Sequence, residues 1–277
     1  MSLRQILKET MDQLYPIPDR QANVVEKLAA TFKSWVGFCN VCGHLAVFEV
    51  SSSNLRENVL CARCRSTNRQ RQIALVLCEH LSKVLGRRVR HLRDIPQETN
   101  LLIYNTESTG AVHEALVLQR GYYFSEYFGP AIAVGALVGT VHHEDLMHLS
   151  LASQSVDIML SSDVFEHVAS PYKAHEEVFR VLKRGGRHIF TVPFYQNEFL
   201  DEQQALLQED NTIKYLKDPE YHGDPLRPEG ALVFRIFSLQ MLVELRKLGF
   251  MTKFHKLYSP LYGILGNNGL VFEAIKP

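Results

Sequence analysis

The chain has 277 residues, 30 basic against 30 acidic side chains and an apolar fraction of 46%, a size and balance that fit one full α/β domain with a smaller appendage. No uncharged run approaches the roughly 20 residues of a bilayer-spanning helix, so a membrane span is not indicated, and the cancelled charge speaks against a strongly basic nucleic-acid binder. The stretch from Met1 to Arg20 mixes acidic with apolar residues and lacks the basic region, hydrophobic core and small-residue cleavage site of a secretory signal, so the expected location is the cytoplasm.

Residues 1–36 are expected to form N-terminal helices. Leu3, Ile6, Leu7 and Leu14 share one stripe, Pro16 and Pro18 break it, and Val24, Val25, Leu28, Phe32 and Trp35 share a second. Both stripes need a surface to pack on. Residues 37–95 read as a small module of two cysteine pairs with a turn at Ser51 to Asn54. A helix follows, marked by Ile73, Val76, Leu77, Leu81 and Val84 and closed by Gly86.

From residue 96 to 277 strands alternate with helices, which predicts a mostly parallel sheet. Leu101 to Tyr104 and Tyr122 to Glu126 are strands flanking a helix from Ala111 to Arg120, and Val156 to Leu160 is a strand of fully buried character. Ser170 is placed to cap a helix with Pro171 in its first turn; Gly185 and Gly186 end it before a strand from His188 to Val192. Ser238 to Leu248 is the last helix, stopped by Gly249, and 250–257 and 269–275 could close the sheet as a hairpin. The Pro- and Gly-bearing stretch at about 194–236 reads as a loop-rich insertion facing a substrate.

Five cysteines stand in an uneven pattern. Cys39 and Cys42, then Cys61 and Cys64, form two pairs of identical spacing with eighteen residues between them, the spacing of a four-thiolate zinc site, because a two-residue gap lets both sulfurs of a knuckle reach one tetrahedral ion. The alternative, two disulfides, needs an oxidising compartment. Four thiolates leave no open position, so the zinc is expected to be structural, with Gly43 in the turn after the first knuckle and His44 outside the ligand set. Cys78 lies on an apolar helix face and reads as a core thiol. Arg56, Arg63, Arg65, Arg69 and Arg71, then Arg87, Arg88, Arg90 and Arg93, form a basic density that suits either RNA phosphates or a solvated or interdomain face; no aromatic residues for base stacking are interleaved.

The segment VDIMLSSDVFEHVASPYKAHEEVFRVLKRGGRHIFTVP, from Val156, resembles the stretch after the fourth strand of class I S-adenosylmethionine-dependent methyltransferases of type 11. There a strand leads to a Glu-His-Val turn, a helix, a Leu-Lys-x-Gly-Gly turn and a strand ending in proline. The cysteine module followed by Asn68-Arg69-Gln70-Arg71 is similar to the zinc-ribbon front of a bacterial group of such enzymes. The resemblance implies a Rossmann-like, mostly parallel seven-stranded sheet with helices on both faces. It also implies S-adenosylmethionine as cofactor beside structural Zn2+.

For the cofactor, Glu126 ends its strand nineteen residues after Glu107, the usual place for a carboxylate gripping ribose hydroxyls. Tyr127 follows it. The resemblance places Asp145, with Leu146, at the adenine, and Ser161 and Ser162 beside the bound cofactor. The first loop departs from the family: in LLIYNTESTGAV the strand acid is absent and Gly110 alone remains of the usual glycines, so Asn105, Thr106, Glu107 and Ser108 shape that wall, with a helix N-terminus near Gly110 for the methionine carboxylate.

Methyl transfer is an in-line displacement that needs chiefly alignment, and a base only where the acceptor must lose a proton. The base candidate is His222 in Glu220-Tyr221-His222-Gly223-Asp224-Pro225, with Asp224 orienting it, against the alternative of a surface turn. Tyr195 and Arg235 are expected in the same cleft, and His167 is read as a structural or cofactor-side residue. Three readings stay open: methyl transfer to a small polar acceptor such as a sugar or other hydroxylated metabolite, RNA methylation with the ribbon presenting the nucleic acid, and a non-catalytic binding module.

Overall fold

The structure is a computed structural model and describes residues 19–96, 99–224, 226–267 and 269–277. The predicted helix through Leu3 and Leu14, the Pro16 to Pro18 break and Pro225 lie outside these. The first described helix, α1 (Asp19–Phe32), leaves Val24, Leu28 and Phe32 exposed and buries Ala29. Trp35, expected on that helix, belongs instead to β1 (Ser34–Cys39), where its indole Nε1 donates to the Pro260 carbonyl at 2.8 Å.

The antiparallel strands β1, β2 (His44–Val50) and β3 (Val59–Cys61) form a three-stranded ribbon. Then α2 (Asn68–Val84) starts on a capping box between Thr67 and Gln70 that the sequence reading did not include, and Gly86 follows its end in the left-handed region. Cys78 is buried on this helix, as expected of a core thiol, and burial pushes its pKa up.

The larger sheet begins with β4 (Ile103–Asn105), α3 (Gly110–Leu116) and β5 (Tyr122–Glu126). The helix predicted to Arg120 stops at Leu116, and the Val117 and Leu118 side chains that follow face solvent. Next come β6 (Leu137–Val138), β7 (Val141–His143), β8 (Val156–Ser162), α4 (Pro171–Val181) and β9 (Leu182–Thr191). Ser170 stands at the N-cap of α4 but its side chain makes no capping hydrogen bond. The helix also ends before the paired glycines, at Val181, because pairing with β8 already begins between Val156 and Leu182.

The 194–236 insertion is built from short strands: β10 (Phe194–Tyr195), β11 (Glu202–Gln203), β12 (Ala205–Leu207), β13 (Ile213–Tyr215), β14 (Tyr221–His222) and β15 (Ala231–Leu232). After β16 (Arg235–Ser238) come α5 (Leu239–Lys247), capped by the Ser238 hydroxyl, then β17 (Met251–Lys256) and β18 (Leu270–Ile275). The main sheet has the strand order β17-β18-β9-β8-β4-β5-β7-β6. It has eight strands rather than seven, since the two-residue β6 adds an antiparallel edge to β7. The pairs β4–β5, β5–β7 and β8–β9 are parallel. The architecture is Rossmann-like, with β8 and β18 buried at almost every position as interior strands require.

The chain divides into two compact units. One runs through Phe124 and takes in Lys253–Glu273; the other is Ser125–Thr252 with Ala274–Pro277. Among the described residues no helix is long and apolar enough to cross a membrane.

Candidate functional site

In the first unit the four paired cysteines converge. One sulfur from each lies within 4.8 Å of the others, Cys39, Cys42 and Cys61 being buried and Cys64 partly so. Gly43 sits in the left-handed region (φ 79°) and its amide donates to the Cys39 carbonyl at 2.8 Å, which is the knuckle turn expected from the sequence. His44 turns away, its Nδ1 2.8 Å from the Cys42 carbonyl. The donor set and its burial fit a zinc ion.

A second observation agrees. Arg71 is wholly buried and, among the described residues, has no carboxylate beside it; its guanidinium donates to the carbonyls of Ser66, Val59, Tyr262 and Gly263 and lies 4.3 Å from the Phe48 ring centre. Burial pulls its pKa down to about 10, and the sulfurs oppose that fall. A tetrathiolate zinc centre carries the negative charge that such a cation lacks. Three other arginines of this module are paired within it: Arg56 and Arg69 with Glu57, and Arg65 with Glu49.

In the first loop, Asn105 is buried and donates to the Glu107 carbonyl at 3.0 Å and the Tyr122 hydroxyl at 2.9 Å. Thr106 is buried with its hydroxyl unpartnered, and Gly110 adopts φ 85° at the start of α3.

The second unit brings Glu126 and Asp145 together. Parallel pairing sets Glu126 opposite His143, the Glu144 amide donates to the Glu126 carbonyl at 3.1 Å, and both acids therefore stand at the carboxyl ends of adjacent strands. Both are half-buried, and one Asp145 oxygen accepts from the Met147 amide at 2.8 Å. The Tyr127 ring lies 5.3 Å from that of His143, and Leu146 is buried below. Ser162 is buried; Ser161 is wholly buried and its hydroxyl pairs with His188 Nε2 at 2.8 Å.

The strongest polar cluster stands at the turn after β8. Asp163, in the left-handed region at φ 54°, is followed by a tight turn over Phe165–His167, and the hairpin of β14 and β15 docks on it: the Phe234 amide donates to the Glu166 carbonyl at 2.7 Å, and His167 Nδ1 donates to the Leu232 carbonyl at 2.8 Å. This hairpin places His222 edge-on to His167, ring centres 5.1 Å apart. Glu166 is fully buried, and its Oε1 lies 3.7 Å from His222 Nδ1 and 3.8 Å from His167 Nε2. Burial, aided by Asp163, pushes Glu166 up to about 7. Facing Glu166 raises His222, whereas burial lowers His167.

The residue facing the His222 ring is thus Glu166. Asp224, expected in that role, pairs with Arg227, whose other arm donates to the Tyr127 carbonyl. Arg227, which the sequence reading did not single out, thereby ties the insertion to the strand end bearing Glu126. Arg235 binds Asp201 and Gln203 and covers Tyr172, and Tyr195 is exposed on β10, paired with Ser238. Glu166 was visible only as part of the Glu-His-Val turn; the hairpin residue it faces, His222, lies 56 residues further on, a distance no local pattern spans.

Fold and site together define a Rossmann-like α/β protein fronted by a four-cysteine ribbon. The family model for a methyltransferase domain matches residues 124–190. An uncharacterized methyltransferase of Mycobacteroides abscessus is 42% identical over 60 residues, 22% of this chain and 23% of that protein. One of Mycobacterium avium is 36% identical over 78 residues, 28% of this chain and 30% of the relative. The chain therefore spans less than a third of the curated relatives it matches. Among solved structures, an S-adenosylmethionine-dependent methyltransferase from Mesorhizobium loti is 16% identical, with 66% of this chain and 94% of that one covered and a TM-score of 0.39.

Proposed function

We propose that this protein transfers a methyl group from S-adenosylmethionine to a small polar, hydroxylated acceptor, and that its ribbon holds a structural zinc ion on Cys39, Cys42, Cys61 and Cys64. The observation that carries the reading is the pair Glu126 and Asp145 at adjacent parallel strand ends, inside the stretch matched by the methyltransferase-domain model. Ligands of open α/β sheets bind at such carboxyl ends. Glu126 would accept from the ribose hydroxyls and Asp145 from the adenine amino group, with Tyr127 and Leu146 flanking them. The cofactor supplies an activated methyl on a sulfonium. This chain supplies orientation, and the acceptor's proton is handled at the Glu166, His167 and His222 cluster.

The intramolecular pairing of Arg56, Arg65 and Arg69 and the burial of Arg71 favour a small acceptor over RNA, because these charges are already answered within the ribbon. Calorimetric titration of zinc-loaded protein with S-adenosylmethionine and S-adenosylhomocysteine tests the proposal. Micromolar binding is expected, weakened at least about tenfold by Glu126→Ala or Asp145→Ala, each removing hydrogen bonds to a buried ligand group. Folded wild-type protein that binds neither compound would leave only the non-catalytic reading.

A further inference from the structure

Glu166 is completely buried, and neither of its carboxylate oxygens has a hydrogen-bond partner. A bare carboxylate in such a place is strongly unfavourable unless a positive group meets it. Facing its Oε1 are His222 Nδ1 at 3.7 Å and His167 Nε2 at 3.8 Å, both beyond hydrogen-bonding range. One donor atom from each of the three residues lies within 4.8 Å of the others.

The far nitrogen of each ring is engaged. His167 Nδ1 meets the Leu232 carbonyl at 2.8 Å, and His222 Nε2 lies 3.3 Å from the Glu220 carboxylate. A carbonyl can only accept, so the His167 proton sits on Nδ1, and the Glu220 carboxylate draws the His222 proton to Nε2 in the same way. Each neutral ring then turns a lone pair toward Glu166. A proton can occupy this convergence, and a metal cation that displaces it meets all three donors at once. Metal-bound histidines are oriented by the same device, an acceptor behind each ring.

We propose that Glu166, His167 and His222 bind a divalent first-row transition-metal ion, a site separate from the four-cysteine centre. Two imidazoles and one carboxylate suit such ions better than magnesium or calcium. Metal–ligand bonds of about 2.0–2.1 Å set tetrahedral donors about 3.4 Å apart, so the two contacts to Glu166 need close by only a few tenths of an ångström. Three protein donors leave a position for a water or an acceptor oxygen, whose pKa the ion would lower. That role toward an acceptor rests on the methyl-transfer reading; binding of the ion does not.

The test uses the full chain loaded with one equivalent of zinc to fill the cysteine centre, then titrated with cobalt(II) and followed by visible absorption and calorimetry. One further equivalent is expected, with ligand-field bands and no new thiolate charge-transfer band. His222→Ala, at a half-exposed side chain, should weaken that second binding at least about tenfold, as should Glu166→Gln, while Glu220→Ala, which only releases the back of the His222 ring, costs less. The proposal is overturned if zinc-loaded wild-type protein with a native near-UV spectrum takes up no second equivalent, or if His222→Ala binds cobalt as wild type does. S-adenosylmethionine titration of the same samples reads the methyl-transfer proposal independently.

Discussion

Arg71 carries a full charge into the protein interior, where four backbone carbonyls and the face of Phe48 receive it and, among the described residues, no carboxylate does. In the proposed zinc centre the thiolates supply its counter-charge, and the metal and this side chain would stabilise one another. Arg71→Met strands those carbonyls and should lower stability by about 3–5 kcal/mol, the scale of breaking a buried charge pair. Arg71→Lys restores the charge but not the planar fork of donors, and should rescue only part of it. Urea unfolding measures both; zinc loss to a chromophoric chelator should quicken in the same order, and a neutral Arg71→Met would sink the argument. In the sequence this residue is one arginine in a basic run. The cysteine spacing was legible because it is local, whereas the burial that separates Arg71 from its neighbours was not.

Elements explain how distant side chains meet. Most helices and strands of the main sheet were readable from periodicity and caps, but their ends shifted where pairing outweighed turn signals, as at Val181, where β9 begins before the glycines. The hairpin carrying His222 is the clearest tertiary product. Gly230 lies at φ 85° opposite the strand, and a Cβ there would stand 2.3 Å from the His222 carbonyl oxygen. Gly230→Ala should therefore separate β14 from β15, lowering stability by about 1–3 kcal/mol. The measurable consequence is a shift of the His222 ring resonance toward its free value; an unchanged resonance would mean the hairpin does not depend on that approach.

At the scale of the molecule, two wholly buried imidazoles, His175 on α4 and His188 on β9, pack with Phe165 and Phe190. Burial lowers His175 to about 3 and His188 well below its ordinary value. Both are neutral when folded and titrate near 6.5 when unfolded, so the unfolded chain binds the extra protons and stability falls as pH drops below 6.5. His175 alone accounts for roughly 2 kcal/mol between pH 6.5 and 5. Urea midpoints at pH 7, 6 and 5 should decline, and less steeply in His175→Gln; a flat profile would contradict neutral burial.

The sequence by itself determined the mostly parallel sheet with helices on its faces and the two cysteine pairs of equal spacing, because each follows from a period or spacing a few residues long; Asp145 was placed only by the resemblance. Only the tertiary structure decided that Glu166 rather than Asp224 faces His222, that Arg227 ties the insertion to the Glu126 strand end, and that Trp35 belongs to a strand. Those outcomes depend on which segments, tens of residues apart, compete to pair and to bury their polar groups, and that competition is settled only when the chain is packed.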